Sequence, residues 1–325
     1  MRKILKLLLA GIISLFLLSI FAFVYKYTPG RIITPDSATD YKWKEYGYMN
    51  NMEEGFSWLR IDSNGYNNHR FIEDEPIDIL IIGSSHTEGV QVSQDSNYSA
   101  RLGKMINNEN IYNIGISGHT FCTCISNLKS AVDQYHPRDY VIIETTSVDF
   151  SLDDLQKVID NSYPEIYSVS GIVAKIGMYF PAIKLIGIQC QKWLKEGEES
   201  FENKEMNRND LTYTRALSQL LMTAKKTVPA DCQLVIFYNA PTTIDSNGFF
   251  VIDENQDSIE TFLQVCKEND IIFIDMTNAF VELYEREHVL AHGFINTAVG
   301  IGHLNEFCHQ AIAEKLAEVI WENNK

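Results

Sequence analysis

Apolar positions in this chain fall into short, nearly unbroken runs rather than one long helical stripe. Residues 77–82 read IDILII, 111–115 IYNIG, 140–145 YVIIET, 233–238 QLVIFY and 271–275 IIFID. Such short runs, rich in β-branched and aromatic side chains, suit strands buried on both faces of a parallel sheet. Helical spacing lies between them: Tyr98, Leu102, Met105 and Ile106 share one face of a segment at 93–106, and a second helix leads to about Tyr135. Strands alternating with helices predict the α/β class, as a three-layer α/β/α sandwich around a five-stranded, mainly parallel sheet.

Three stretches break this rhythm. Residues 4–25 form an apolar run of about 22 residues with its only charge at the N-terminal end, where Lys6 joins Arg2 and Lys3. At roughly 1.5 Å per residue it is long enough to cross a bilayer core, so it reads as a transmembrane helix. The basic cluster before it predicts a cytoplasmic N-terminus and an extracytoplasmic remainder. A cleaved signal peptide is the rival reading, but the run exceeds the usual apolar region and lacks a convincing small-x-small site before Lys26. Residues 26–75 are polar, aromatic and turn-rich, with Pro29, Pro35 and Asn64-Gly65, and read as a juxtamembrane stalk and a lead-in that packs on the main domain. Within them, residues 56–66 suggest a strand and a turn. The main domain is expected over 76–325, with a helical insertion at about 151–210. Its part from Ile166 to Leu194 carries Pro181 and Lys175, Lys184 and Lys192, which makes it a poor second span. Extra helices on the core and a lid or membrane-facing surface over the site are both open for it.

Charge narrows the partners. The formal net charge is −16, and the first 31 positions hold five of the 27 basic residues and none of the 43 acidic ones. The remainder therefore carries 22 basic against 43 acidic side chains. A surface so acidic repels nucleic acid and anionic headgroups, so no nucleic-acid partner is expected. Six cysteines are scattered without metal-ligand spacing, and neither a disulfide nor a metal site is assigned.

Candidate chemistry gathers where the runs end. Gly83 stops the first run and is followed by Ser84, Ser85 and His86. In open α/β sheets the site lies beyond the carboxyl ends of the strands, although strand-Gly-Ser-Ser alone also suits a turn with a serine capping the next helix. Later ends supply Asn113-Ile-Gly-Ile-Ser-Gly118, Thr146-Ser-Val-Asp149 and Gly300-Ile-Gly-His-Leu-Asn305. In this order the motifs resemble the SGNH/GDSL hydrolase family. Ser85 stands in the place of its nucleophile, Gly118 in that of its oxyanion-hole glycine and His303 in that of its histidine. Ser84 replaces the usual aspartate of the first block, Val148 the oxyanion asparagine, and Gly300 the aspartate that precedes the histidine. Leu59-Arg-Ile-Asp-Ser-Asn-Gly-Tyr66 and Phe294-Ile-Asn-Thr-Ala-Val-Gly-Ile-Gly-His-Leu-Asn305 are similar to a membrane-anchored branch associated with bacterial surface polysaccharides.

The resemblance implies a flavodoxin-like SGNH fold and a serine ester hydrolase or O-acetyltransferase acting on acyl, chiefly O-acetyl, esters of a cell-surface glycan without a cofactor. It implies Ser85 as nucleophile, His303 as base, and the backbone N–H groups of Ser85 and Gly118 as oxyanion donors. A membrane-bound protein that donates acyl groups is the partner a transferase would need. The absent aspartate leaves the histidine's orienting group open among Asn296, Thr297, Asp275 and a backbone carbonyl, since some group must fix its tautomer. Asp149 and His86 are further candidates for orienting the histidine or touching substrate, against plainer roles as helix-capping residues. A glycan-binding or assembly subunit with weakened chemistry is the alternative from another class.

Overall fold

The computed structural model describes residues 2–34, 37–69, 75–164, 182, 186–187, 211–245, 250–252 and 256–323. The chain opens with helix α1 (Arg2–Tyr25), continues through short strands β1 (Lys26–Tyr27), β2 (Arg31–Ile33), β3 (Tyr41–Trp43), β4 (Tyr48–Asn51) and β5 (Ser57–Arg60), and then enters the α/β unit. That unit runs β6 (Ile79–Ile82), α2 (Ser85–Glu88), α3 (Tyr98–Ile106), β7 (Ile111–Asn113), α4 (Phe121–Tyr135), β8 (Tyr140–Thr145) and α5 (Leu152–Ile159). It resumes with α6 (Leu211–Thr227), β9 (Gln233–Tyr238), the hairpin β10 (Thr242–Ile244) and β11 (Phe250–Ile252), α7 (Gln256–Glu268), β12 (Ile272–Asp275), α8 (Thr277–Glu287) and α9 (Glu306–Asn323).

Five strands pair in parallel in the order β12-β9-β8-β6-β7, the flavodoxin-like arrangement. Their apolar runs lack alternation because both faces are covered. On one face Leu80, Ile82, Val141, Ile143, Leu234 and Ile236 pack under α4, α5, α6 and α7. On the other Ile79, Ile81, Ile142, Val235 and Phe237 pack under α3, α8 and α9. Each fully buried side chain of this kind contributes about 1.5–3 kcal/mol, so the strand that delivers the Gly83 loop is among the best-anchored parts of the chain. The strand order reverses at β6, and ligand crevices form at such a switch point, beyond the carboxyl ends.

Strands β6, β7 and β12 are one or two residues shorter than their apolar runs, and two larger differences have local reasons. The helix expected over 93–106 begins at Tyr98, because Asn97 caps it by accepting from Ser99 N–H. The lead-in is more ordered than a stalk. β1, β4 and β5 form one antiparallel sheet, β2 and β3 another, and Tyr41, Trp43, Met49, Leu59 and Ile61 join the core beneath α4. The expected strand and turn are β5 and the bend at Gly65, whose φ of +93° a residue with a Cβ rarely adopts. The insertion from Ile166 to Leu194, and the polar stretch to Asp210, lie almost wholly outside the described residues. All five described cysteines are buried and free.

α1 is long and apolar enough to cross a membrane, and Ala22 alone of its residues is buried. Its carboxyl end is tied into the lead-in: Asn50 Nδ2 donates to the carbonyls of Phe23 and Val24, and Met52 N–H donates to Tyr25 O at 2.8 Å. These bonds satisfy carbonyls that any helix end leaves without an intrahelical partner.

Candidate active site

The turn after β6 is fixed by a buried carboxylate. Glu144, on β8, accepts from Ser84 N–H at 2.8 Å, Ser84 Oγ at 2.8 Å and Thr87 Oγ1 at 2.9 Å. Gly83 is required by this closeness, since a Cβ there would lie 2.0 Å from Thr87 Oγ1. Ser84 also caps α2 by accepting from His86 N–H, so the first serine serves the turn and the second, Ser85, is left to face the cleft.

Ser85 Oγ lies 3.0 Å from His303 Nε2, across 218 positions of sequence. Behind it, His303 Nδ1 lies 2.6 Å from Glu54 Oε2, and the backbone N–H of His303 donates to Glu54 Oε1 at 2.7 Å. Burial alone would raise the Glu54 carboxyl, but the bonds from the His303 ring and backbone, with the charges of His303 and Lys26, outweigh it and hold the group below its ordinary range. Ser85, His303 and Glu54 thus form a hydroxyl–imidazole–carboxylate chain in which each member is within hydrogen-bond reach of the next, the geometry that nucleophilic catalysis requires.

The acid comes from none of the positions considered for it. Among the described residues, the His303 ring bonds to Ser85 and Glu54, so the orienting role considered for Asn296, Thr297, Asp149 and Asp275 is corrected to Glu54. Asn296 acts one step back. Its Oδ1 accepts from Gly55 N–H and its Nδ2 donates to the carbonyls of Met52 and Gly55, each at 3.0 Å, which fixes the turn that carries Glu54. Thr297 closes a local turn with Phe294, Asp149 lies in the Ser147 turn, and the Asp275 carboxylate accepts from Thr277 N–H. His86 does reach the site: its ring lies 5.3 Å from that of His303 and 5.6 Å from that of His292, and its Nδ1 is 3.2 Å from Asn239 Nδ2. Burial, then the like charge that His303 would carry if protonated, push the His86 imidazole down to about 3, so it is neutral at ordinary pH.

The chain of three opens into a cleft of about 400 Å³ lined by Ser85, His303, Glu54 and Gly118, together with lead-in residues such as Lys26 and Trp43. Gly118 holds φ at +98°, and no heavy atom comes within 4 Å of a Cβ placed on it. Its loop is pinned by a second buried acid, Glu88, which accepts from Ser117 N–H and Oγ and from Trp43 Nε1. Burial raises the Glu88 carboxyl, partly offset by those bonds. Val148, which the motif resemblance sets in the place of an oxyanion asparagine, is buried in the core. No group of three His, Cys, Asp or Glu side chains converges as a metal site among the described residues.

Solved structures similar to this chain include lipolytic enzymes and esterases. A member of the lipolytic G-D-S-L family from Veillonella parvula is 17% identical, with 75% of this chain and 98% of that one covered at a TM-score of 0.41. An acetyl xylan esterase from Geobacillus stearothermophilus is 16% identical, covering 74% and 93% at 0.40, and a psychrotrophic esterase from Pseudoalteromonas is 13% identical, covering 75% and 98% at 0.38. No protein-family model and no curated protein sequence matches the chain.

Sequence reasoning missed Glu54, Glu88 and Glu144. Glu54 sits in Asn51-Met-Glu-Glu-Gly55, where an acidic pair before a glycine in an otherwise aperiodic segment was the only signal.

Proposed function

We propose that the protein is a membrane-anchored, extracytoplasmic serine esterase or O-acyltransferase that handles O-acetyl or related acyl esters of a cell-surface glycan. The observation that carries this reading is the continuous chain Ser85 Oγ–His303 Nε2, 3.0 Å, and His303 Nδ1–Glu54 Oε2, 2.6 Å, opening into one cleft. A serine hydroxyl attacks an ester only as its proton leaves. With Glu54 accepting from Nδ1–H, His303 presents the lone pair of Nε2 to Ser85 Oγ and takes that proton. The carbonyl carbon then binds Oγ, and the negative charge on its oxygen is met by the N–H groups of Ser85 and Gly118. Each such donor is worth about 3 kcal/mol in the transition state. Collapse expels the alcohol, which takes the proton back from His303 and leaves an acyl group on Ser85. Water or a sugar hydroxyl then attacks by the reverse route, and that choice separates hydrolysis from transfer.

The alternative of a weakened binding or assembly subunit rested on two departures, the absent acid and Val148 in the asparagine's place; Glu54 supplies an acid at the required atom, while Val148 offers no side-chain donor. For the finer reading, the membrane anchor rests on the length and apolarity of α1, and the acetylated glycan rests on the motif resemblance. A transferase would take its acyl group from a membrane-bound donor protein. The test is acetate release by the full-length protein in nanodiscs from an O-acetylated polysaccharide, with and without an unacetylated oligosaccharide acceptor. Release without acceptor supports the esterase, acetyl movement to the acceptor supports the transferase, and neither from folded protein contradicts both.

A further inference from the structure

The two loops beside the active site also carry an exposed apolar face, and one is bonded to the end of α1 directly and the other through it. Tyr25 O, on the last residue of the helix, accepts from Met52 N–H; Met52 O in turn accepts from Asn296 Nδ2. Beside Asn296 stands Ile295, 93% exposed, followed by Val299 and Ile301 at 64% and 65%. On the facing segment Met52, Phe56 and Trp58 are 41–60% exposed, and the Trp58 ring lies 6.1 Å from that of Phe23 in α1. No charged residue occurs from His288 to Asn305. In a chain with 43 acidic side chains, a loop without Asp, Glu, Lys or Arg that presents two isoleucines and a valine to water stands out among the described residues. Phe56, Ile295 and Val299 also line an apolar depression of about 700 Å³, so the face has depth as well as area.

We propose that the 294–302 loop and the 52–58 segment form a membrane-docking face, seated at the headgroup–acyl boundary of the bilayer that α1 spans. The inference rests on reading α1 as a membrane span. Continuity decides the occupant. The face begins where the helix ends, and aromatic and aliphatic side chains flanking a span partition into the interface. Glu54 lies on the 52–58 segment, His303 directly follows the 294–302 loop, and Lys26, the residue after α1, lines the catalytic cleft. The cleft therefore lies against the membrane surface, and the substrates it receives are acyl esters on chains tethered there, such as a lipid-linked glycan, rather than on polymers free in solution.

The test uses full-length protein in phosphatidylcholine nanodiscs, with an environment-sensitive fluorophore on single introduced cysteines in a C190S background. Positions Leu15, Ile295, Ile301 and Lys267 are labelled, the last at the opposite edge of the sheet. Lipids with a nitroxide near the headgroup should quench Ile295→Cys and Ile301→Cys at least twofold and leave Lys267→Cys unchanged, while a deep nitroxide quenches Leu15→Cys. Quenching at Leu15→Cys without quenching at the two loop positions overturns the docking face and leaves the span standing. No quenching at Leu15→Cys overturns the span and the docking face together. Loop probes silent to nitroxide lipids but cross-linking to a second copy assign the face to self-association and overturn the proposal.

Discussion

Replacing Glu54 with Gln removes one charge and one acceptor from the centre of the site while keeping the side chain's shape. Glu54 accepts twice from His303, from the ring at 2.6 Å and from the backbone N–H at 2.7 Å. Glutamine has one oxygen. If that oxygen stays on the backbone N–H, the amide NH2 faces Nδ1, which must then accept, and the ring proton moves to Nε2, where it blocks the uptake of the Ser85 proton. If the amide turns round, NH2 meets N–H. Either way the imidazolium of the transition state loses its counter-charge. For unit charges about 4 Å apart at an effective dielectric near 20, that attraction is about 4 kcal/mol, or a factor of about 10³ in rate. With the tautomer penalty added, E54Q should lose about 10³- to 10⁴-fold in kcat/KM, carried by kcat. p-Nitrophenyl acetate hydrolysis measures it, with a thermal melt to show that the variant is folded. A folded E54Q within threefold of wild type would refute the role of Glu54.

Two further outcomes follow from the geometry. Gly118→Ala meets no steric obstacle but forces a Cβ onto a φ of +98°, so the variant should fold while the oxyanion N–H moves, with turnover falling about 10²-fold; wild-type turnover would remove Gly118 from the mechanism. His292 and His309 are held at about 3, below their ordinary 6.5, chiefly by burial. The native state refuses protons that the unfolded chain accepts, so their contribution is complete above pH 6.5 and is lost as pH falls toward 3. At about 1.4 kcal/mol per pH unit for each, the urea midpoint should drop steeply from pH 7 to pH 5, and a flat profile would contradict the burial argument.

The sheet was legible because its signal is local. Runs such as YVIIET at Tyr140–Thr145 and QLVIFY at Gln233–Tyr238 are strands over those same residues, since burial on both faces confines polar side chains to their ends. Ser85 and His303 could be singled out because each ends or begins an element in a recognisable motif, although only the structure sets them 3.0 Å apart. Glu54 was illegible for a physical reason: a triad is defined by geometry, and the acid reaches the histidine from a segment 249 positions away. Every candidate for the partner of His303, from His86 to Thr297, lay in the main domain, whereas the acid comes from the lead-in before it. Reading residues 26–75 partly as stalk hid the same point, because those residues build one wall of the cleft.

The central claim, that Ser85 is a nucleophile activated through His303 and Glu54, is tested most directly by mass spectrometry after treatment with a serine-reactive phosphonate. A single adduct should form on Ser85, be absent in S85A, and form at least 10²-fold more slowly in E54Q. Folded wild-type protein that takes up no phosphonate at Ser85, or labels there equally fast in E54Q, would contradict it.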